Sequence, residues 1–158
     1  QMECGGPMNV ISDHPVGDRL IAAAREAATR AHAPYSGFAV GAALLLTDGS
    51  IIRAANFENA SYGLSLCAET VACATANSQG RLNDIVAVGI VGGMMRTDEA
   101  GETPVRPCGR CRQVLNEAAQ MGHRELDIYC SGLSGGLIEH HRLSDLLPYA
   151  FGPASLGM

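Results

Sequence analysis

Charged side chains are scarce in this sequence. They make up 17% of the 158 residues, whereas an average soluble domain has about 25%. The formal net charge of −5 argues against a basic surface that would follow a nucleic-acid polymer. Hydrophobic residues reach 47%, and a chain with so much apolar and so little charged surface is expected to bury part of it against other copies. We therefore predict an oligomer.

Long apolar runs and a signal segment are also missing. No run approaches the roughly 18 apolar residues of a membrane-spanning helix, and the N-terminus shows no basic start followed by an apolar core. Six cysteines could form disulfides in a secreted domain. Three of them belong to the motif described below, which leaves an odd number: Cys4, Cys73 and Cys130. These features predict a reduced, cytoplasmic protein without a membrane partner.

The pattern of the chain predicts one α/β domain. Residues 1–14 show no periodicity and are expected to form a loose N-terminal arm, followed by a single domain over residues 15–158. The apolar run 38–46 is typical of a strand that is covered on both faces. Helices are predicted from Asp18 to the segment before Pro34, and over 67–76, 109–121 and 143–147. Strands are predicted over 38–46, 51–58, 85–91, 126–130 and 137–140.

Three thiols form the most informative motif. Cys67 opens Cys-Ala-Glu, and Cys108 and Cys111 form a Cys-x-x-Cys pair after Pro107. Three thiolates leave one tetrahedral position of zinc free, which is typical of a catalytic site. Zinc lowers the pKa of water in that position from about 15.7 to roughly 7. Glu69 is close enough to carry protons, and the whole pattern is the signature of zinc nucleobase deaminases.

Other interpretations of the thiols remain open. A Cys-x-x-Cys pair alone is often a structural zinc knuckle or a redox pair, and Cys67 could be an ordinary buried thiol. A non-catalytic zinc protein is therefore the alternative from a different functional class. Both thiol segments open predicted helices, where the helix dipole favours a thiolate. An intact Glu69 and a free fourth zinc position favour catalysis.

Two polar residues indicate a sugar site. Asn56 and Glu58 lie two apart on the predicted strand 51–58, so their side chains share a face. An amide beside a carboxylate suits the hydroxyls of a ribose, although both could simply be polar residues at a strand end. The histidines lie away from the thiols in sequence, and no site role is expected for them: His14, His32, His123, His140 and His141.

These segments together resemble the cytidine deaminases of the short, homotetrameric type. The resemblance spans about residues 19–151 and rests on five segments: Pro34-Tyr35-Ser36-Gly37-Phe38, Val40-Gly41-Ala42-Ala43-Leu44, Asn56-Phe57-Glu58-Asn59-Ala60, Cys67-Ala68-Glu69 and Pro107-Cys108-Gly109-Arg110-Cys111-Arg112-Gln113. It implies a three-layer α/β/α sandwich on a five-stranded mixed sheet.

The resemblance also implies roles for individual residues. One Zn²⁺ per chain would bind Cys67, Cys108 and Cys111, and Glu69 would be the proton shuttle. Substrate contacts would come from a set that includes one residue of a neighbouring subunit: Phe38, Asn56, Glu58, Ala68 and, from the neighbour, Phe151. The implied reaction is the hydrolytic deamination of cytidine and 2′-deoxycytidine in pyrimidine salvage.

The sequence departs from the family pattern at several positions. Thr70 stands where many members have an arginine that donates hydrogen bonds to the zinc thiolates. Charge compensation is therefore expected from Arg112, Arg110 and the N-termini of the two predicted helices. Ala39 replaces the usual proline, and the loop before Pro107 is longer than in short members. These differences leave modified or N4-substituted cytidines, and antibiotics such as blasticidin S, open as alternative substrates.

Overall fold

A mixed six-stranded β-sheet forms the middle layer of the protein. The computed structural model describes residues 8–11, 14–96 and 101–158. The strands follow the spatial order β1-β6-β5-β4-β2-β3, where β4 and β5 are parallel and all other neighbours are antiparallel. The strands are β1 Met8–Ile11, β2 Phe38–Leu46, β3 Ile51–Ala55, β4 Ile85–Met94, β5 Asp127–Gly132 and β6 Leu137–Arg142.

Helices cover both faces of the sheet. Helix α1 (Pro15–Ala28) packs on one face, and α2 (Ala68–Ser78) and α3 (Gly109–Met121) pack on the other. Strand β2 contributes to both cores, because Ala42 and Leu44 face α2 and α3 while Ala43 faces α1. The predicted three-layer α/β/α fold is therefore confirmed. The short helix α4 (Leu143–Leu146) follows β6.

Two glycines let α1 lie directly on the sheet. A Cβ atom at Gly41 would come within 1.9 Å of the carbonyl oxygen of Ala24, and one at Gly89 within 2.7 Å of the Cβ of Leu20. Neither position has room for a side chain. The close contact fixes β2 under α1, and β2 in turn carries part of the site described below.

Several boundaries differ from those predicted. Helix α1 begins at Pro15 instead of Asp18, because proline is favoured in the first turn of a helix. Strand β4 continues to Met94, whereas β3 ends at Ala55 and does not reach residue 58. Beyond β3 the chain leaves β2, and Phe57 forms isolated bridges with His32 and Leu66.

Strand β1, which was not among the five predicted strands, lies in the segment that was expected to be a loose arm. Met8–Ile11 pairs antiparallel with residues 137–140 of β6 and so satisfies backbone groups on a strand that would otherwise be an edge. Four residues are too few for a clear periodic signal. Cys4 and the rest of that arm, apart from residue 14, lie outside the described residues. None of the described helices combines the length and hydropathy of a membrane span.

Candidate active site

The three predicted zinc ligands meet at the N-termini of two helices. Cys67 is the N-cap of α2 and Cys108 is the N-cap of α3, and Cys111 lies in the first turn of α3. Their sulfur atoms all lie within 4.8 Å of one another, and the Sγ atoms of Cys67 and Cys108 are 3.8 Å apart. A tetrahedral zinc with Zn–S bonds of about 2.3 Å places its sulfurs about 3.8 Å apart. The three thiols therefore fit one zinc ion per chain.

The electrostatics of this cluster also suit a cation. Cys111 is fully buried, whereas Cys67 is half-buried and Cys108 is exposed. The nearby thiols, Cys111 first and then Cys108, lower the pKa of Cys67, and the charge of Arg110 adds a smaller effect in the same direction. The hydrogen bond with Cys67 and burial raise the pKa of Cys111. A metal ion bound by the three sulfurs would take the place of the thiol protons. The positive ends of the two helix dipoles favour the thiolate form of the cysteines.

Glu69 occupies the first turn of α2 and is 3% exposed. Burial raises the pKa of its carboxyl group above the ordinary value, and the charge of Cys67 acts in the same direction. A carboxyl group that gains a proton more readily near neutral pH is suited to proton transfer. The structure thus places a buried carboxyl group with a raised pKa beside the thiols.

A cavity of about 240 Å³ joins the thiols to the predicted sugar site. It brings together Cys67, Cys108, Glu69, Asn56 and Glu58. The remaining lining residues were not singled out from the sequence: Val40, Ser65, Leu66, Val105 and Arg106. Val105 and Arg106 directly precede Pro107-Cys108. This position next to the motif was the one sequence feature that could have indicated a place in the site. Neither the histidines nor the other residues predicted to bind zinc or substrate are among the described residues that line this cavity; the latter are Phe38, Ala68, Cys111 and Phe151.

Asn56 and Glu58 are tied to the chain around Phe38. The side-chain amide of Asn56 donates to the carbonyl oxygen of Phe38, and its Oδ1 accepts from the Val40 N–H, each at 2.9 Å. The Glu58 carboxylate accepts from the N–H groups of Tyr35 and Ser36 at 3.1 Å. It also accepts from the Ser36 hydroxyl at 2.6 Å.

These bonds fix the charge state of Glu58. The Ser36 hydroxyl and then the Ser36 N–H hold the pKa of the Glu58 carboxyl below its ordinary value. Glu58 therefore lines the cavity as an anion with a fixed orientation. Its carboxylate oxygens can each accept more than one hydrogen bond, so the existing contacts leave acceptor capacity for a hydroxyl group.

Three residues near the thiols bear on how the negative charge of the thiolates is compensated: Thr70, Arg110 and Arg112. The hydroxyl oxygen of Thr70 lies 3.4 Å from the Cys111 sulfur. Arg112 donates to the carbonyl oxygens of Pro107 and Leu146 at 2.8 and 3.0 Å, so its described hydrogen bonds anchor the segment before Cys108. Arg110 acts on Cys67 through its charge alone. Compensation by Arg112 and Arg110 stays a prediction.

An ion pair that the sequence did not reveal borders the cavity. Arg106 donates to Oε2 of Glu139 on β6 at 2.6 Å, and His141 lies 3.3 Å from Oε1. The Glu139 residue is 4% exposed. Burial opposes its ionisation, but the bonds from Arg106 and His141 outweigh burial and keep its pKa below the ordinary value.

Phe151 lies in the C-terminal segment beyond α4. Its carbonyl oxygen accepts from the side-chain amides of Gln113 and Asn116 on α3, at 2.8 and 3.2 Å. These bonds hold the backbone, while the residue remains 64% exposed. The ring therefore does not cap the core of its own chain, and its contribution to a neighbouring site stays a prediction.

Comparisons with known proteins agree with this site. Residues 16–123 match the family model described as the cytidine and deoxycytidylate deaminase zinc-binding region. Cytidine deaminase of Halalkalibacterium halodurans is 47% identical over 132 residues, which cover 84% of this chain and 91% of that protein. Cytidine deaminase of Mycobacterium tuberculosis is 44% identical over 135 residues, with 82% and 84% covered.

Solved structures give the same result. The crystal structure of cytidine deaminase from Burkholderia pseudomallei has a TM-score of 0.72 and 41% identity, and the match covers 85% of this chain and 98% of that one. The M. tuberculosis enzyme has a TM-score of 0.65 and 40% identity over 85% and 96% of the two chains. The matched region contains all three thiols and Glu69, and the chain belongs to the zinc-binding cytidine and deoxycytidylate deaminase family.

Proposed function

We propose that the protein deaminates cytidine and 2′-deoxycytidine hydrolytically, producing the corresponding uridines and ammonia in pyrimidine salvage. The observation that carries this proposal is one cavity lined by two of the three thiols, Cys67 and Cys108, by the buried Glu69, and by the pair Asn56 and Glu58. Relatives that match most of the chain are named cytidine deaminases. A non-catalytic zinc protein has no need for a buried carboxyl group beside its metal ligands.

The metal chemistry and the proton chemistry are assigned to different side chains. Cys67, Cys108 and Cys111 would hold Zn²⁺, which supplies a Lewis acid that lowers the pKa of water to about 7. Glu69 protonates ring N3 of the pyrimidine and later delivers a proton to the amine that leaves C4. The raised pKa of Glu69 supports both transfers, because the carboxyl group must accept each proton before passing it on.

The other side chains bind and orient the nucleoside. Asn56 and Glu58 bond the ribose 3′-hydroxyl, with Glu58 as an acceptor whose orientation is set by Ser36. Phe38 and Ala68 do not line the cavity of the single chain, and only the family resemblance supports a contact of these two residues with the substrate. In a homotetramer, Phe151 of a neighbouring subunit completes the base pocket, which agrees with the exposure of that residue in the single chain.

One substrate panel tests this function. Protein with one zinc per chain is mixed with cytidine, deoxycytidine, cytosine, cytidine monophosphate and blasticidin S, and the loss of ultraviolet absorbance is followed. We expect turnover of the two nucleosides and weak activity on cytosine, which lacks the sugar. Turnover of blasticidin S in preference to cytidine would favour the antibiotic-deaminase alternative. A zinc-loaded preparation that deaminates none of them would refute the proposal.

A further inference from the structure

We propose that Thr70 is a positioning residue of the zinc site, which donates a hydrogen bond to the sulfur of Cys111. The two atoms, Oγ1 and Sγ, are 3.4 Å apart. Either of them can donate while Cys111 is a thiol. Once the thiol has lost its proton to bind a metal ion, only the hydroxyl group has a proton to give. The direction of the bond is then fixed from Thr70 to Cys111.

The position of Cys111 explains why such a donor is needed. Three thiolates and one Zn²⁺ leave a net charge of −1, and Cys111 is the fully buried member of the three. A buried anion is costly unless hydrogen-bond donors surround it. Cys67 and Cys108 are helix N-caps with greater exposure, whereas the sulfur of Cys111 receives a side-chain hydroxyl from the neighbouring helix.

The bond also connects the two elements that carry the ligands. Thr70 lies in the first turn of α2, next to Glu69, and Cys111 lies in the first turn of α3. A contact between these turns sets the distance of Cys67 on one helix from Cys111 on the other. Groups that bond metal ligands from outside the coordination sphere typically contribute 10–100-fold to metal affinity or activity.

Zinc affinity is the first test, with two matched variants. Thr70→Val keeps the shape of the side chain and removes the hydroxyl, whereas Thr70→Ser keeps the hydroxyl. Competition of the holoprotein with a chromophoric chelator should show zinc binding that is about 10–100-fold weaker in Thr70→Val, with Thr70→Ser close to the parent. Equal zinc affinity in Thr70→Val and the parent protein would overturn the proposal. Thr70→Ala supplies the same comparison if the valine variant does not fold.

The absorption spectrum of the cobalt-substituted protein is a second test. A purely structural role of Thr70 would leave this spectrum unchanged. Loss of the donor leaves more electron density on the Cys111 sulfur, so the thiolate-to-cobalt charge-transfer band should shift to longer wavelength in Thr70→Val but not in Thr70→Ser. An unshifted band in Thr70→Val would contradict the hydrogen bond. Both measurements report on the metal site without requiring deamination, so they remain decisive even if the proposed substrate is wrong.

Discussion

Glu69 and Glu58 line the same cavity, yet their surroundings shift their pKa values in opposite directions. Burial raises the pKa of Glu69, whereas the Ser36 hydroxyl and N–H lower the pKa of Glu58. Two carboxyl groups whose pKa values differ in this way are suited to different tasks. In the proposed mechanism Glu69 exchanges protons, and Glu58 remains an anion that accepts hydrogen bonds.

Replacement of Glu69 by glutamine should abolish activity without disturbing the metal. The amide has nearly the same shape, but it cannot carry a proton between ring N3 and the leaving amine. General acid–base catalysis alone contributes about 10²–10⁴-fold, so kcat should fall by at least that factor. Zinc content by elemental analysis should stay at one per chain. Activity within tenfold of the parent would show that another group transfers the proton.

Substitutions of Glu58 should affect substrate binding more than metal binding. Glu58→Gln keeps one carbonyl acceptor, whereas Glu58→Ala removes both the sugar contact and the bonds to Tyr35 and Ser36. Loss of the hydrogen bond to the sugar predicts a fall in kcat/KM of roughly ten- to hundredfold for the alanine variant. The glutamine variant should lie between alanine and the parent.

Three substrates separate the sugar contact of Glu58 from its bonds to Tyr35 and Ser36. If Glu58 bonds the 3′-hydroxyl, kcat/KM of the Glu58→Ala variant should fall equally for cytidine and deoxycytidine, because both have that hydroxyl group. Cytosine, which lacks the sugar, should be nearly unaffected. Parallel losses on all three substrates would mean that Glu58 acts only by holding the segment at Ser36.

At the scale of elements, Arg106 and Glu139 connect the segment before Cys108 to strand β6. Glu139 lies in the sheet with 4% exposure, and its partner precedes the zinc ligand by two residues. The N–H of Val105 also donates to the carbonyl oxygen of Ser131 on β5. These contacts hold Val105 and Arg106, which line the cavity together with Asn56 and Glu58.

The stability contributed by this ion pair should depend on pH. The pKa of Glu139 is lowered in the folded protein, so its contribution is fully present above the unfolded-state pKa and is lost as pH falls through the folded-state pKa. Glu139→Gln should destabilise the protein at pH 7 by about 1–2 kcal/mol, a modest value because the Arg106 side chain is 46% exposed to water.

Urea unfolding at pH 7 and at pH 3.5 measures this difference. The gap between Glu139→Gln and the parent should shrink at the lower pH. Asp145→Asn is the matched control, since its ion pair with Arg142 is exposed on both sides and should contribute almost nothing at either pH. A gap for Glu139→Gln that is the same at both pH values would contradict a role for the ionised carboxylate.

The parts of the structure that were predictable are those with local signals. The bounds of β2 follow from an apolar run between Gly37 and an Asp-Gly turn, and α3 ends at Gly122 as its pattern indicates. The three thiols were predicted to lie together because their spacing is typical of zinc ligands, and the structure brings them together. In contrast, β1 and the Arg106–Glu139 pair depend on contacts between distant segments, and neither leaves a periodic or motif signal.

At the scale of the whole molecule, large apolar side chains remain exposed in the single chain. Two groups stand out, one near the start of α2 and one in the C-terminal segment. The first contains Tyr62 and Leu64, at 74% and 64% exposure, and the second contains Tyr149, which is fully exposed, and Phe151, at 64%. This exposure, together with the low charge, supports the prediction of an oligomer. The number of subunits, four by the family resemblance, stays a prediction that light scattering on the purified protein can test.

Phe151 should serve the site of a neighbouring subunit. Stacking of an aromatic ring on a base contributes about 1–3 kcal/mol, so Phe151→Ala should raise KM for cytidine by roughly ten- to hundredfold. Subunit exchange between Phe151→Ala and Glu69→Gln chains tests where the ring acts. If it is donated to a neighbour, some mixed sites contain both Phe151 and Glu69, and the activity of the mixture exceeds the sum of the parents.

Exchange between Glu69→Gln and Cys108→Ala chains is the control, because Glu69 and Cys108 line one cavity within the same chain. Every site in that mixture lacks one of the two groups, so no activity should return. Rescue in the Phe151 mixture without rescue in the control places the ring across a subunit boundary. Failure of both mixtures to regain activity, with exchange verified by mass spectrometry, would place Phe151 at the site of its own chain.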